Sequence, residues 1–337
     1  MKGDRNMETR IQLNLEVFEE NYKIARKAFF LNSGLEAAAC ASAFIGDSRP
    51  TSEEAMKEAK ALLNKNTSFF STLKGNSKQV VVATLAQAKD PSQALEKIKM
   101  IHKGLDRKFF DSDYLVLAAV MIYKVARESD YDLYIKRTRE IYKLIRHDHP
   151  FITGSEDITN CVIMALSDID VNKLSDLTEE SFKALKKKFF SSNKVQYMAC
   201  LASVFDMPAD EKATVIRNTY EMLKSEGVRF DADAFAIVAA VAMLVKEEDK
   251  KTVIKRIYKL SNDLKNLRGL GPMGAGKRVR NTLASAIVLE AYTGGDTKAR
   301  TAVINSIIAT VIAIEIACIC AATSAASSSA SYTASTS

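Results

Sequence analysis

FDSDYLVLAAVMIYKVARESDYDLYIKRTREIYKLIRHDHPF, residues 110–151, holds one full period of a pattern that runs along most of the chain. It opens and closes on phenylalanine, and so do its neighbours. Phe30, Phe70, Phe110, Phe151, Phe190 and Phe230 are separated by 40, 40, 41, 39 and 40 residues. After each marker comes a short polar group able to cap a helix, such as Ser112 and Asp113 or Ser192 and Asn193, because these side chains accept from the free amides of a first turn. An alanine-rich apolar segment follows, as in Leu115 to Val125 and Ala234 to Val245. Its small residues suit a helix hemmed in by others. About 20 residues past the Phe, a polar break leads into a second, amphipathic helix. In Pro91 to Leu105, Leu95, Ile98 and Leu105 recur at helical spacing while Glu96, Lys99 and Lys103 point away. The marker Phe, at the exit of that helix, reads as a plug between successive hairpins.

Two helical patterns per period near 40 are the signature of a helical solenoid, in which stacking completes a core that no unit can close alone. The expected fold is therefore all-α, a helical-repeat solenoid of about 40-residue hairpins. Residues 1–29 read as an N-terminal segment whose helix, from about Gln12 to Lys27, caps an open end. Six hairpins fill 30–268, a divergent C-terminal capping repeat fills 269–322, and a disordered Ser/Ala/Thr tail covers 323–337. With 47% hydrophobic and 26% charged residues the chain has material for a continuous core. Five cysteines, an odd number, argue against a disulfide framework. Cys40, Cys161 and Cys200 lie in apolar stretches, which fits reduced thiols in a cytoplasmic protein.

Phe18-Glu19-Glu20-Asn21-Tyr22 near the start, units such as Phe110-Asp111-Ser112-Asp113-Tyr114-Leu115, and an Ala/Ser-rich carboxyl end together resemble a bacterial family known as domain of unknown function 4003. The resemblance implies a helical bacterial protein. It brings no activity, cofactor or catalytic residue with it.

Chemical signatures fail one after another. Gly271-Pro272-Met273-Gly274-Ala275-Gly276-Lys277-Arg278 has the glycine and lysine spacing of a phosphate loop, but Arg278 stands where a magnesium-binding hydroxyl is needed, and an amphipathic helix precedes it instead of a strand. Of three histidines, His147 and His149 fall at a unit boundary and share no helical face with a third ligand. Cys318 and Cys320 would point about 200° apart on a helix. Asp111, Asp113, Asp231 and Asp233 sit where other units have Ser, Thr or Asn, and read as caps. No catalytic residue, metal or cofactor is implied, and the expectation is a non-enzymatic scaffold or protein-interaction module of unknown partner, with an enzyme of unrecognised type as the third reading.

Charge says more. Between Lys246 and Arg280 there are 11 basic and four acidic residues, and their net +7 equals the excess of the whole chain. Lys251, Lys255 and Lys259, with Arg256 beside them, form a basic stripe opposite Val253, Ile257 and Leu260. These four are the candidate binding residues, and the partner they suit is an acidic protein or peptide, or a membrane surface. A single interleaved aromatic, Tyr258, argues against single-stranded nucleic acid. The 21-residue stretch Ala302 to Ala322 keeps a second reading open, a membrane-associated adaptor anchored by its C-terminal tail at the inner membrane face. Glu315 inside that stretch favours a packed capping helix instead.

Overall fold

A computed structural model describes residues 2–29, 34–68, 71–106, 112–231 and 234–293, with side chains from residue 6 onward. Among the described residues there is no strand, and fourteen α-helices follow one another. They are α1 (Lys2–Phe29), α2 (Gly34–Ser42), α3 (Glu53–Asn66), α4 (Lys78–Gln87), α5 (Pro91–Asp106), α6 (Asp113–Val125) and α7 (Tyr131–Asp148). The second half adds α8 (Ile158–Ala165), α9 (Val171–Lys186), α10 (Ser192–Ala202), α11 (Ala209–Ser225), α12 (Ala236–Leu244), α13 (Glu247–Asp263) and α14 (Gly276–Thr293).

Odd and even helices differ as their sequences dictate. Odd helices carry one apolar stripe: α5 buries Ala94, Leu95, Ile98, Ile101 and Leu105 and exposes Glu96 and Lys103. Even helices are enclosed almost all round, and every residue of α8 is buried. Alanines such as Ala37, Ala38, Ala118, Ala119, Ala239 and Ala240 let the even helices approach one another closely. Helix starts follow the polar residues expected of them. Ser112 accepts from the Leu115 amide and opens α6, and Asp170 accepts from Asn172 and Lys173 and opens α9.

Each odd helix packs on the even helix that follows it. The even helices also pack side by side from α2 to α14, and the odd ones from α1 to α13. The odd helices, with their exposed faces, form the outer layer and the even ones the inner layer. A recurring contact ties the outer layer together. Lys60 Nζ donates to Ala28 O (3.2 Å), Arg139 NH1 to Gly104 O (3.4 Å) and Arg217 NH1 to Lys188 O (2.9 Å). In each case a cation of one outer helix satisfies a carbonyl at or just past the exit of the previous outer helix, where no intrahelical partner exists.

The first and last of the described helices also meet. α1 packs against α14 as well as against α3. Arg10 pairs with Glu290 (2.9 Å), Tyr22 Oη donates to Arg268 O (2.7 Å), and a Cβ placed on Gly34 would come within 2.4 Å of Gly269 O. The helix expected to cap an open end thus lies between two neighbours, because its Arg10 and Asn14 match the glutamate that α14 offers.

The marker phenylalanines correct the plug expectation. Phe230 is buried, but Phe151 and Phe190 project into solvent at 99% and 101% exposure. Phe30, Phe70 and Phe110 lie outside the described residues. The ring that packs at the α9 exit is Phe189, edge-on to Tyr220 (5.5 Å between centroids) and under the Arg217 guanidinium. At the α1 exit Phe29 packs in the same way beneath Lys60. α9 ends at Lys186, and the turn that follows aims the first ring of the pair inward and the second outward.

Candidate functional site

The α13 stripe lies where helical spacing puts it. Lys251, Lys255 and Lys259 are exposed, and none has a carboxylate within ion-pair distance among the described residues. Arg256, 100° round the helix from Lys255, is turned toward α1, where its Nε holds Glu8 (2.9 Å) and its NH1 approaches Met7 Sδ. It therefore joins α13 to α1, while the three lysines face outward. The stripe's helix starts on Glu247, Glu248 and Asp249, which complement its N-terminal dipole and leave the cations to the later turns.

A second basic face went unread in the sequence. On α7, Lys136, Arg139, Lys143, Arg146 and His147 line a cavity of about 610 Å³ with Tyr142, and Glu140 is the only acid in it. Among the described residues none of the four Lys and Arg side chains has an ion-pair partner; Arg139 caps Gly104 O and Arg146 NH1 approaches the Tyr142 hydroxyl. Charge counting misses this face because Asp132, Glu140 and Asp148 offset it along the chain, although none of the three pairs with its Lys and Arg side chains among the described residues. A helical projection of residues 132–148 is the signal that finds it.

Polar residues also converge where inner helices give way to the next outer ones. Gln87 Nε2 donates to Ala43 O (2.9 Å) and to Asp47 Oδ2 (2.7 Å), and Lys124 Nζ donates to Ala43 O (2.9 Å) and Gln87 Oε1 (3.2 Å). Lys124 keeps an exposed surface, and desolvation lowers its pKa against the pull of Asp47. Desolvation likewise raises the Asp47 carboxyl. Three inner helices are thereby joined through the free carbonyl of one, which is a structural use of all three side chains. Near the start of α8, buried Asp157 accepts from the Gly154 amide, and burial pushes its carboxyl up to about 6.

The remaining candidates have structural partners. Asp113 accepts from the Ser77 amide (2.8 Å) and hydroxyl (2.9 Å), so it clasps the preceding turn and Ser112 does the capping expected of both. Asp231 holds Arg278, while Asp111 and Asp233 lie outside the described residues. His149 holds Glu179 (2.8 Å) against the Phe182 ring, His147 is paired with Asp148, and among the described residues no group of His, Cys, Asp and Glu could hold a metal. Cys40, Cys161 and Cys200 are buried free thiols whose pKa values desolvation raises, so thiolate chemistry is disfavoured. Cys318 and Cys320 lie outside the described residues. In the glycine loop, Lys277 lies over the Tyr258 ring and Gly276 takes φ +78 to enter α14 from a helical approach.

A family model described as protein of unknown function (DUF4003) matches residues 21–317. The chain belongs to the DUF4003 family. No curated protein and no solved structure matches it significantly. Membership and the helical architecture agree with the resemblance seen in the sequence, and the family description assigns no activity. No helix among the described residues is long and apolar enough to cross a membrane, and Ala302 to Ala322 lie outside them.

Proposed function

We propose that this DUF4003 member is a non-enzymatic helical-repeat scaffold, seven hairpins closed into a ring, that holds an acidic protein or peptide on its outer layer. The repeat reading is supported by the recurring cap contacts between outer helices and by the side-by-side packing of the inner ones. Contact between α1 and α14 supports closure. The observation that carries the binding reading is the α13 face, with three exposed lysines on one helical row and, among the described residues, no carboxylate within ion-pair distance of them. Ion pairs within an exposed helix are weak, so leaving these lysines unpaired costs the fold little while keeping a field of one sign outside it. The terminal-anchor reading finds no support among the described helices.

Reversing the charge at Lys251, Lys255 and Lys259 together is expected to leave the thermal melt within a few degrees of the parent, since none of the three is packed or paired. Partner capture should fall at least about tenfold at low salt and converge with the parent as ionic strength rises. Quantitative pull-down with a defined acidic probe, poly-L-glutamate, measures this. Equal capture by the triple variant removes the stripe from the reading.

A further inference from the structure

We propose that the edge of the molecule formed by the outer-to-inner turns docks on an anionic lipid surface, with Phe151, Phe190 and Met273 entering the interface. Contacts among these turns and the inner-helix starts beside them place the turns along one edge. Asn281 Nδ2 reaches Arg229 O (2.8 Å), Gln196 Nε2 reaches Thr153 Oγ1 (3.2 Å), Asp113 holds Ser77, and the Gly34 turn touches Gly269. Phe151, Phe190 and Met273 stand on three of these turns, exposed at 99%, 101% and 103%.

Each projecting residue stands on a turn fixed by its own contacts. Thr153 Oγ1 donates to His149 O (2.8 Å), and His149 is held by Glu179, so the Pro150–Phe151 corner is fixed from both sides. Lys186 Nζ binds Phe190 O and Ser192 Oγ. The Met273 loop is closed by Gly274 N to Gly271 O (3.0 Å) and Ala275 N to Gly269 O (3.0 Å). A single exposed apolar side chain is ordinary on a protein surface, so what sets these three apart is that they stand on ordered turns of one edge.

Charge supplies the partner. Residues 143–153 carry two Lys or Arg and one acid, residues 183–194 five and none, and residues 263–278 four and one. Lys143, Arg146, Lys183, Lys187, Lys265 and Arg268 are all exposed. Lys183 is paired with Glu179 (3.1 Å) and Lys187 with Asp210 (3.6 Å), whereas Lys143, Arg146, Lys265 and Arg268 have no ion-pair partner among the described residues; Asp148 and Asp231 hold His147 and Arg278. Apolar tips rimmed by cations match an interface where side chains enter the acyl boundary and lysines meet anionic headgroups. The tips stand on separate turns, with a hairpin between the second and the third.

The chain has no Trp, so Phe151→Trp and Phe190→Trp in the full-length protein each create a single reporter. Phosphatidylcholine vesicles containing phosphatidylglycerol should shift the emission of both to the blue and allow quenching by brominated acyl chains. Pure phosphatidylcholine vesicles should not. High salt should weaken the response, and Phe151→Ser in the Phe190→Trp protein should weaken partitioning on the order of tenfold. Emission unchanged at saturating anionic vesicles, or an equal response to neutral ones, overturns the proposal. A response to poly-L-glutamate without one to vesicles also overturns it and assigns the edge to a protein. Charge reversal on α13 changes a different surface, so this outcome is read separately from that of the acidic-partner test.

Discussion

At neutral pH, Asp157→Asn is expected to be more stable than the parent protein by roughly 3 kcal/mol, the equivalent of moving a carboxyl from 3.8 to about 6. Asp157 is 1% exposed, and its Oδ1 has no partner. Neither has Gln196 Oε1, the acceptor of the neighbouring amide. Two buried acceptors lack donors, and a proton on Asp157 provides one. Burial is the largest influence on its carboxyl and outweighs the Gly154 amide and the side chains of Gln196 and Asn160, which favour the charged form, while neighbouring Glu156 opposes it. Because the folded pKa lies above the unfolded value, the folded state keeps a proton that the unfolded chain releases. This contribution is complete below about pH 4 and is lost as pH rises through about 6. Denaturant unfolding of both proteins from pH 4 to 8 should give a difference that grows through that window and is flat above it. A difference independent of pH means that Asp157 ionises in the folded state as it does in the unfolded one.

Phe189→Ala should cost about 3–5 kcal/mol, whereas Phe190→Ala should change stability by less than about 0.5 kcal/mol. The first ring is 8% exposed between Tyr220 and Arg217, and its loss opens a cavity between α9 and α11 and removes a cation–ring contact. The second touches solvent over its whole surface. Chemical denaturation of the two variants side by side decides which phenylalanine of the pair plugs the stack. Similar losses from both would restore the expectation that Phe190 is core.

That pair also shows where sequence reasoning stops. Leu115 to Ile122 could be assigned to an enclosed helix because apolar residues continue through a whole turn, and the structure buries them all. A periodic argument needs a helix to carry it, and α9 has ended before Phe189 and Phe190. Which ring turns inward is decided by a turn that places Lys186 on Phe190 O, a contact no spacing rule contains. Lys251, Lys255 and Lys259 were legible because they share a helical row in a segment with few acids. The four Lys and Arg side chains of the α7 face were hidden by acids that are near in sequence and, among the described residues, do not pair with them. Asp113 was misassigned because a carboxylate after a turn caps its own helix by default, and here the neighbouring turn offers better donors in Ser77 and Asn76. Contact between α1 and α14 joins residues about as far apart as the described chain allows, and nothing local in either helix announces it.

Closure of the ring is therefore the claim to measure first. Nitroxide labels at Lys23→Cys and Arg268→Cys, in a background with Cys318→Ser and Cys320→Ser, put probes on exposed positions of α1 and of the loop after α13. The native Cys40, Cys161 and Cys200 are buried. Tyr22 bonds to Arg268 O, so the closed ring predicts one narrow distance distribution by pulsed electron–electron resonance, within about 25 Å once label length is included. An open array of seven hairpins, with six steps of about 8–10 Å, would separate the labels by about 50–60 Å. A distribution centred there would show that α1 caps a free end and that the ring does not close.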